Sequence, residues 1–388
     1  MRRRLPIDYA LRNLRRRPGR TLLTGTAATL VTAVLVLTVA FQRALERSFV
    51  DQGRSDTALL ISSASMRDIV RSAIPPAAAE LVAADVPGIT RIHGVAAVSP
   101  EIHMASKLGL GEEGSEEHAA FLRGVTERAL LVHEAVTVVQ GRLPATGEVL
   151  VGQVLPEKLG VEAQALAPGS RIRFEGATWT VSGVFAAPGT TIESEIWVPL
   201  RELQSVARRD DISCVFVRME DASGIGDVEV FAQRRLDLEL TSIPASAYYR
   251  ELASYFAPIR TLGWTMAVLI GIAALLTGAN SLNTTVQDRL PELATLRALG
   301  YPGSAIALSL ALEAIWISAA GGLVGVALAV PALKGATFRI AMGAFRLEAD
   351  GPAVLTGLLG AVALGTLGSL PALRRALTLP VARALQSD

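Results

Sequence analysis

The chain has 388 residues, 51% of them hydrophobic and 19% charged, with a mean hydropathy of +0.40. It is too apolar for a disordered chain, and Lys+Arg 37 against Asp+Glu 36 leaves no general basic field with which to bind nucleic acid. One cysteine, Cys214, rules out an intrachain disulfide, and no Cys/His cluster has the spacing of a zinc site.

Residues 1–20 read as a basic N-terminal helix, with Arg2, Arg3, Arg4, Arg12, Arg15, Arg16, Arg17 and Arg20 against the single acid Asp8. Residues 21–42 then carry no charge, and 22 helical residues cover a hydrocarbon core of roughly 30 Å. A cleaved signal peptide is the rival reading, but signal cores are shorter and Thr38-Val39-Ala40 is a poor cleavage site. Phe41, Leu45 and Phe49 continue one helical face beyond this span, and Tyr248, Leu252, Tyr255, Phe256 and Ile259 make a similar stripe before the next, with a kink expected at Pro258. Periodicity leaves two readings open: a stalk, or a cap on the intervening domain.

Residues 43–260 change texture. The runs TALLISS, GEVLVG, SRIRFEG, ATWTVSGVF, SEIWVPL and ISCVFVRM predict strands, and PPAAAELVAAD predicts a helix, so an α+β domain is expected. His93, His103, His118 and His133 all fall here. The loop GEEGSEEH gathers glutamates beside His118, but one local histidine among glycines reads as a solvated acidic loop and no metal site is expected.

Three further spans follow at residues 261–287, 305–330 and 351–373, the third helix starting near Ser304 as N-cap. Residues 331–350 form the loop between the last two spans, and 374–388 a tail with Arg374, Arg375 and Arg383. Because arginine-rich flanks resist translocation, both ends face the cytoplasm, residues 43–260 lie outside, and 288–304 returns inside. The fold class is therefore an α-helical membrane protein with four transmembrane helices and an inserted α+β extracytoplasmic domain.

No phosphate-binding GxxxxGK[ST] loop, HExxH or GxSxG occurs, and no histidine lies in a span, so nothing points to an enzyme. The segment QDRLPELATLRALGYPGS is more informative. Pro291 suits a first helical turn, Arg289 and Glu292 are spaced to pair, and Gly300 with Pro302 stops the helix. In the third span Gly321, Gly322 and Gly325 offer a small-residue packing face, to be matched by Gly357, Gly360, Gly365 and Gly368 in the fourth. Glu313 is the intramembrane ionisable residue; it marks function or is satisfied by polar neighbours such as Asn280 and Asn283.

The stretch DRLPELATLRALGYPGSAIALSLALEAIWISAAGGLVGVALA resembles the signature of FtsX-like and MacB-like ABC transporter permeases. YALRNLRRRPGRTLLTG is similar to the family's opening and LPALRRALTLPVARAL to its close, while GRLPATGEVLVG, SRIRFEGATWTVSGVF and EIWVPL resemble its periplasmic core domain. The size and layout are DevC-like. The resemblance implies a permease subunit of an ABC exporter in the bacterial inner membrane, a homodimer or heterodimer, which transmits ATP-driven movement to its outer domain. Glu292, Leu296, Arg297, Leu299 and Gly300 then sit in the coupling helix that meets the ATPase. MacB carries its ATPase on the same chain, whereas only twenty residues precede the first span here. A separate cytoplasmic ATPase subunit is therefore expected to hold ATP and Mg, with no cofactor on this chain and a periplasmic adaptor where the host has an outer membrane. The alternative is an FtsX-like signalling scaffold that activates an extracytoplasmic cell-wall hydrolase.

Overall fold

The computed structural model describes residues 18–50, 53–111, 117–340 and 343–378. Residues 1–17 of the basic N-terminal segment, Glu112, Glu113 and Glu116 of the 111–118 loop, and Arg383 lie outside the described residues, while Glu117 begins a strand. Two compact units emerge: a helical one, formed by the chain up to Arg43, Ala257–Ala336 and the chain from Leu347, and a β-rich one, formed by Ala44–Phe256 and Thr337–Arg346.

Helix α1 (Pro18–Leu45) ends in a π-helical turn, Glu46–Val50. The β-rich unit then carries β1 (Thr57–Ser62), α2 (Ala77–Asp85), the small hairpin β2 (Arg91–Ile92) and β3 (Val95–Ala96), and the long strands β4 (Val98–Leu110) and β5 (Glu117–Val125). After α3 (Ala129–Val132) come β6 (Thr137–Gly141), β7 (Glu148–Gly152), α4 (Leu155–Leu159), β8 (Arg171–Phe174) and β9 (Ala177–Ala186). The unit continues through β10 (Ile196–Pro199), α5 (Leu200–Ala207), β11 (Cys214–Arg218), α6 (Ile225–Arg234), β12 (Leu240–Pro244) and α7 (Ala245–Ser254).

A ten-stranded sheet runs β12-β1-β11-β4-β5-β10-β7-β9-β6, with β8 joining β4 and β9. The pairings β4–β5, β5–β10, β10–β7, β7–β9, β9–β8 and β8–β4 close a ring, which leaves β12 and β6 as the open edges. Strand β4 makes this possible by serving three neighbours in turn: Val98–Glu101 pair with β11, Ile102–Gly109 with β5, and Gly109–Leu110 with β8. In β9 the two-residue period puts Trp179, Val181 and Phe185 inside. Gly183 in the same strand has no room for a Cβ, which would lie 3.0 Å from Arg142 N and closer still to Gln140 O, where β6 bulges between Val138 and Gln140.

The six expected strand runs and the helix over 75–85 are all present, and β4, β5, β6 and β12 are strands that the sequence patterning did not flag. Of the two stripes, Leu45, Phe49 and Tyr248 are buried within the β-rich unit and the Phe49 and Phe256 rings sit 5.5 Å apart, whereas Ile259 is 46% exposed. Tyr255, 70% exposed, lies off that face.

In the helical unit α8 (Ala257–Asp288), α9 (Leu290–Ala298), α10 (Gly303–Leu333) and α11 (Gly351–Thr378) accompany α1. Four helices, Thr21–Phe49, Ala257–Asp288, Gly303–Leu333 and Gly351–Arg375, are long and apolar enough to cross a membrane. Two local expectations are corrected. Pro258 does not kink a helix; it sits in the first turn of α8, where its missing N–H has no intrahelical partner to lose. Ser304 is not the N-cap of α10, because Pro302 is, and the helix starts at Gly303.

The segment 331–350, read as a plain loop, contains a hairpin of β13 (Thr337–Ile340) and β14 (Gly343–Arg346) that belongs to the β-rich unit. Ala344 N donates to Ser194 Oγ at 2.9 Å, and Arg346 forks onto Glu157 at 2.6 and 3.1 Å.

Candidate functional site

The sequence motif LPELATLRALG folds as α9, with Pro291 in its first turn. Its end is a Schellman motif: Gly300 takes φ +90°, Gly300 N donates to Arg297 O at 3.0 Å and Tyr301 N to Leu296 O at 3.1 Å. Leu293 and Ala294 are buried, Leu293 in a cluster with Leu282, Val286, Ile306 and Leu310, while Leu296 packs partly against it. Glu292, Thr295, Leu299 and Gly300 form the open side, with Leu299 59% exposed. Of the five residues expected to meet a partner, Glu292, Leu299 and Gly300 therefore lie on one exposed face. Leu296 and Arg297 are half-buried, and Arg297 Nη2 donates to Leu377 O at 3.3 Å at the end of α11.

Arg289 does not pair with Glu292. It turns inward, 5% exposed, and its Nη1 reaches Oε2 of Glu313, 7% exposed, at 3.3 Å. The pairing is enforced by solvation: a buried carboxylate must find a cation, whereas Glu292, in solvent, gains little from one. Of the expected polar neighbours, Asn283 is used elsewhere, its Oδ1 accepting from Arg375 Nη1 at 2.8 Å.

Glycines let the helices of this unit approach. A Cβ on Gly321 would lie 2.5 Å from Gly25 O, and one on Gly325 would lie 2.6 Å from Thr29 O, both on α1. Thr29 Oγ1 donates to Gly321 O at 2.9 Å across the same contact. Gly322 faces α11 instead, where a Cβ would meet that of Ala361 at 2.6 Å, and Gly365 returns the contact against Ile315 Cα at 2.9 Å. Gly368 is looser, its nearest neighbours in α8 lying 3.9 Å away.

The β-rich unit holds a buried charge network that the sequence analysis missed. Glu101 on β4 accepts from Arg123 Nη1 at 2.7 Å, His133 Nε2 at 2.7 Å, His103 Nε2 at 3.0 Å and Ser99 Oγ at 2.8 Å. Arg123 also forks onto Glu195 at 2.6 and 2.8 Å, and Trp197 Nε1 donates to the same carboxylate at 3.4 Å. Glu101 is fully buried, Arg123 and Glu195 nearly so. Burial alone would raise the Glu101 carboxyl, but His133, Arg123 and the His103 hydrogen bond hold it well below its usual range. His103 is pushed down by burial and by Arg123, and the Cys214 thiol is pushed well up by burial. Ligand atoms of Glu101, His103 and Cys214 lie within 4.8 Å of one another, yet Arg123 already brings the cation to that carboxylate. His118, the histidine singled out in the sequence, lies instead on β5 and half-buried. The signal for the network was present in AAFLRGV and SEIWVPL: a lone arginine and a lone glutamate inside apolar strand runs imply that each is buried against the other.

Comparison with known proteins follows the same division. The family model for the MacB-like periplasmic core domain matches residues 21–230, and that for the FtsX-like permease C-terminal region matches residues 264–381. Among solved structures, the periplasmic region of MacB from Actinobacillus actinomycetemcomitans is 13% identical with a TM-score of 0.39, covering 51% of this chain and 92% of that one. The extracellular domain of the noncanonic ABC-type transporter YknZ from Gram-positive bacteria is 16% identical with a TM-score of 0.37, covering 48% and 99%. No curated protein matches. On the two family matches the chain belongs to the FtsX-like and MacB-like ABC transporter permeases, as a membrane protein with four transmembrane helices and an inserted MacB-like periplasmic core domain.

Proposed function

We propose that this permease subunit works by mechanotransmission in an exporter: α9 receives the nucleotide-driven movement of a separate cytoplasmic ABC ATPase, and the membrane helices relay it to the β-rich domain. ATP and Mg are held by that partner, and this chain carries no cofactor of its own and performs no catalysis. The arginine-rich flanks orient both termini toward the cytoplasm of a bacterial inner membrane, with the β-rich domain outside. Two permease chains, identical or different, flank two ATPases, and a periplasmic adaptor serves where there is an outer membrane.

The observation that carries this reading is the division of α9 into a packed face at Leu293 and Ala294 and an exposed face at Glu292 and Leu299. A helix presenting a leucine and a carboxylate to solvent, while fixed behind, suits docking into a partner's cleft. Affinity purification of the tagged chain from its native membrane tests it. An ABC ATPase should be retained, and Glu292→Lys with Leu299→Asp should lose it without lowering the yield of the permease. Retention of the ATPase by that variant refutes the coupling assignment. Activation of a cell-wall hydrolase without export of any cargo selects the signalling alternative.

A further inference from the structure

We propose that Arg289 and Glu313 are the positioning link that fixes α9 onto α10, a role that rests on reading α9 as the coupling helix. Arg289 begins α9: its carbonyl accepts from Leu293 N at 2.9 Å, closing the first turn, while its guanidinium reaches Glu313 at 3.3 Å. The two side chains are 6% and 9% exposed. Glu313 stands ten residues into α10 after Gly303, about 15 Å along the axis at the helical rise. The pair thus joins the start of a short helix to the body of a long one.

Apolar contacts such as those of Leu293 tolerate sliding, because dispersion has no preferred direction. An ion pair cut off from water does not, since separating its members leaves two unsolvated charges. At the other end of α9, Arg297 reaches the Leu377 carbonyl. A displacement of α9 therefore carries α10 at one end and the end of α11 at the other. The glycine faces at Gly321 and Gly325 are where α10 lies closest to α1.

Amide hydrogen exchange on the full chain in phosphatidylethanolamine and phosphatidylglycerol nanodiscs tests the link. Peptides over 290–300 report α9, with 320–328 of α10 and 214–218 of β11 as internal references. Glu313→Gln and Arg289→Gln should each speed α9 exchange at least about tenfold with the references unchanged. Combining them should speed it no further than the faster single variant, because each single already breaks the same contact. Unchanged α9 exchange in both singles overturns the proposal. So does equal acceleration of the references, or a double variant whose factor is the product of the singles. Glu313→Asp, which keeps the charge but draws it back by one methylene, carries the same expectation with a smaller factor if the glutamine variant does not fold. The coupling reading fails on a different result, retention of the ATPase by the Glu292 and Leu299 variant, so the two failures are distinguishable.

Discussion

Arg123 sits directly across from His103 in the β4–β5 register, yet its guanidinium passes the imidazole to lie 2.7 Å from Glu101. It is the one cation bridging two buried carboxylates, Glu101 and Glu195, in that network. Replacing it by glutamine keeps a hydrogen-bond donor but removes the charge that the two carboxylates share. The expected loss is about 3–5 kcal/mol in the stability of the β-rich domain. Denaturant unfolding of the full chain, followed by exchange of the β4 and β5 amides, measures it. A companion variant with Arg123, Glu101 and Glu195 all made leucine should recover most of that loss. If Arg123→Gln costs under about 1 kcal/mol, the network contributes no more than an exposed pair does.

The same network sets an acid limb for the β-rich domain. His103 is lowered from its ordinary 6.5, so the unfolded chain binds the proton more readily. Its contribution is complete above pH 6.5 and declines as pH falls below that value toward the folded pKa. Glu101, held well below 4.5, adds stability that is present above 4.5 and is lost as pH falls further. Glu193, raised by burial, opposes this over the window just above 4.5. Stability of the β-rich domain should therefore drop from pH 7.5 to pH 5.5, and His103→Phe should flatten that drop. A wild-type chain no less stable at pH 5.5 than at 7.5, by urea midpoint of the β4 signal, contradicts the assignment.

How far the fold was legible follows from what each element obeys. Charge-free runs and arginine flanks declared the membrane helices, because lipid leaves an ionisable side chain few options. Strand β9 showed through its apolar alternation, and β7 as a short apolar run between Gly147 and Gly152. Strand β4 did not, since Glu101 and His103 place charge and polarity on a face buried by pairing with Arg123, and Pro100 interrupts the run just ahead of them. Arg289 was misassigned to Glu292 for a related reason. Local spacing cannot weigh a neighbour three residues away in water against one twenty-four residues away out of it. The β13–β14 hairpin escaped notice because TFRI and GAFR each set an arginine among few apolar residues, inside a segment read as a loop between two spans.

Packing in the helical unit predicts a graded glycine series. A side chain at Gly325 would meet the Thr29 carbonyl of α1, backbone that cannot swing aside, whereas Gly271 in α8 has nothing within 4 Å. Gly325→Val should lower stability by about 1–3 kcal/mol, and Gly271→Ala should stay within about 0.5 kcal/mol of the parent. Thermal unfolding in detergent, read by loss of helical signal, separates them. Equal behaviour of the two variants would mean that α1 and α10 do not pack through Gly325.

Orientation can be checked with one reactive thiol at a time. The native Cys214 is fully buried with its thiol pushed well up, so it is both inaccessible and poor in thiolate and should stay silent to maleimide. Met66, 93% exposed in the β-rich domain, is a site where an introduced cysteine reacts freely, and Glu292 is an exposed site on α9. With both ends inside, Met66→Cys should label with a membrane-impermeant maleimide in intact cells. Glu292→Cys should label only after permeabilisation. The reverse pattern would turn the chain over in the bilayer and leave α9 on the side away from any cytoplasmic ATPase. Labelling of both sites in intact cells would place α9 outside as well, and the single crossing between them, α8, would have to be abandoned.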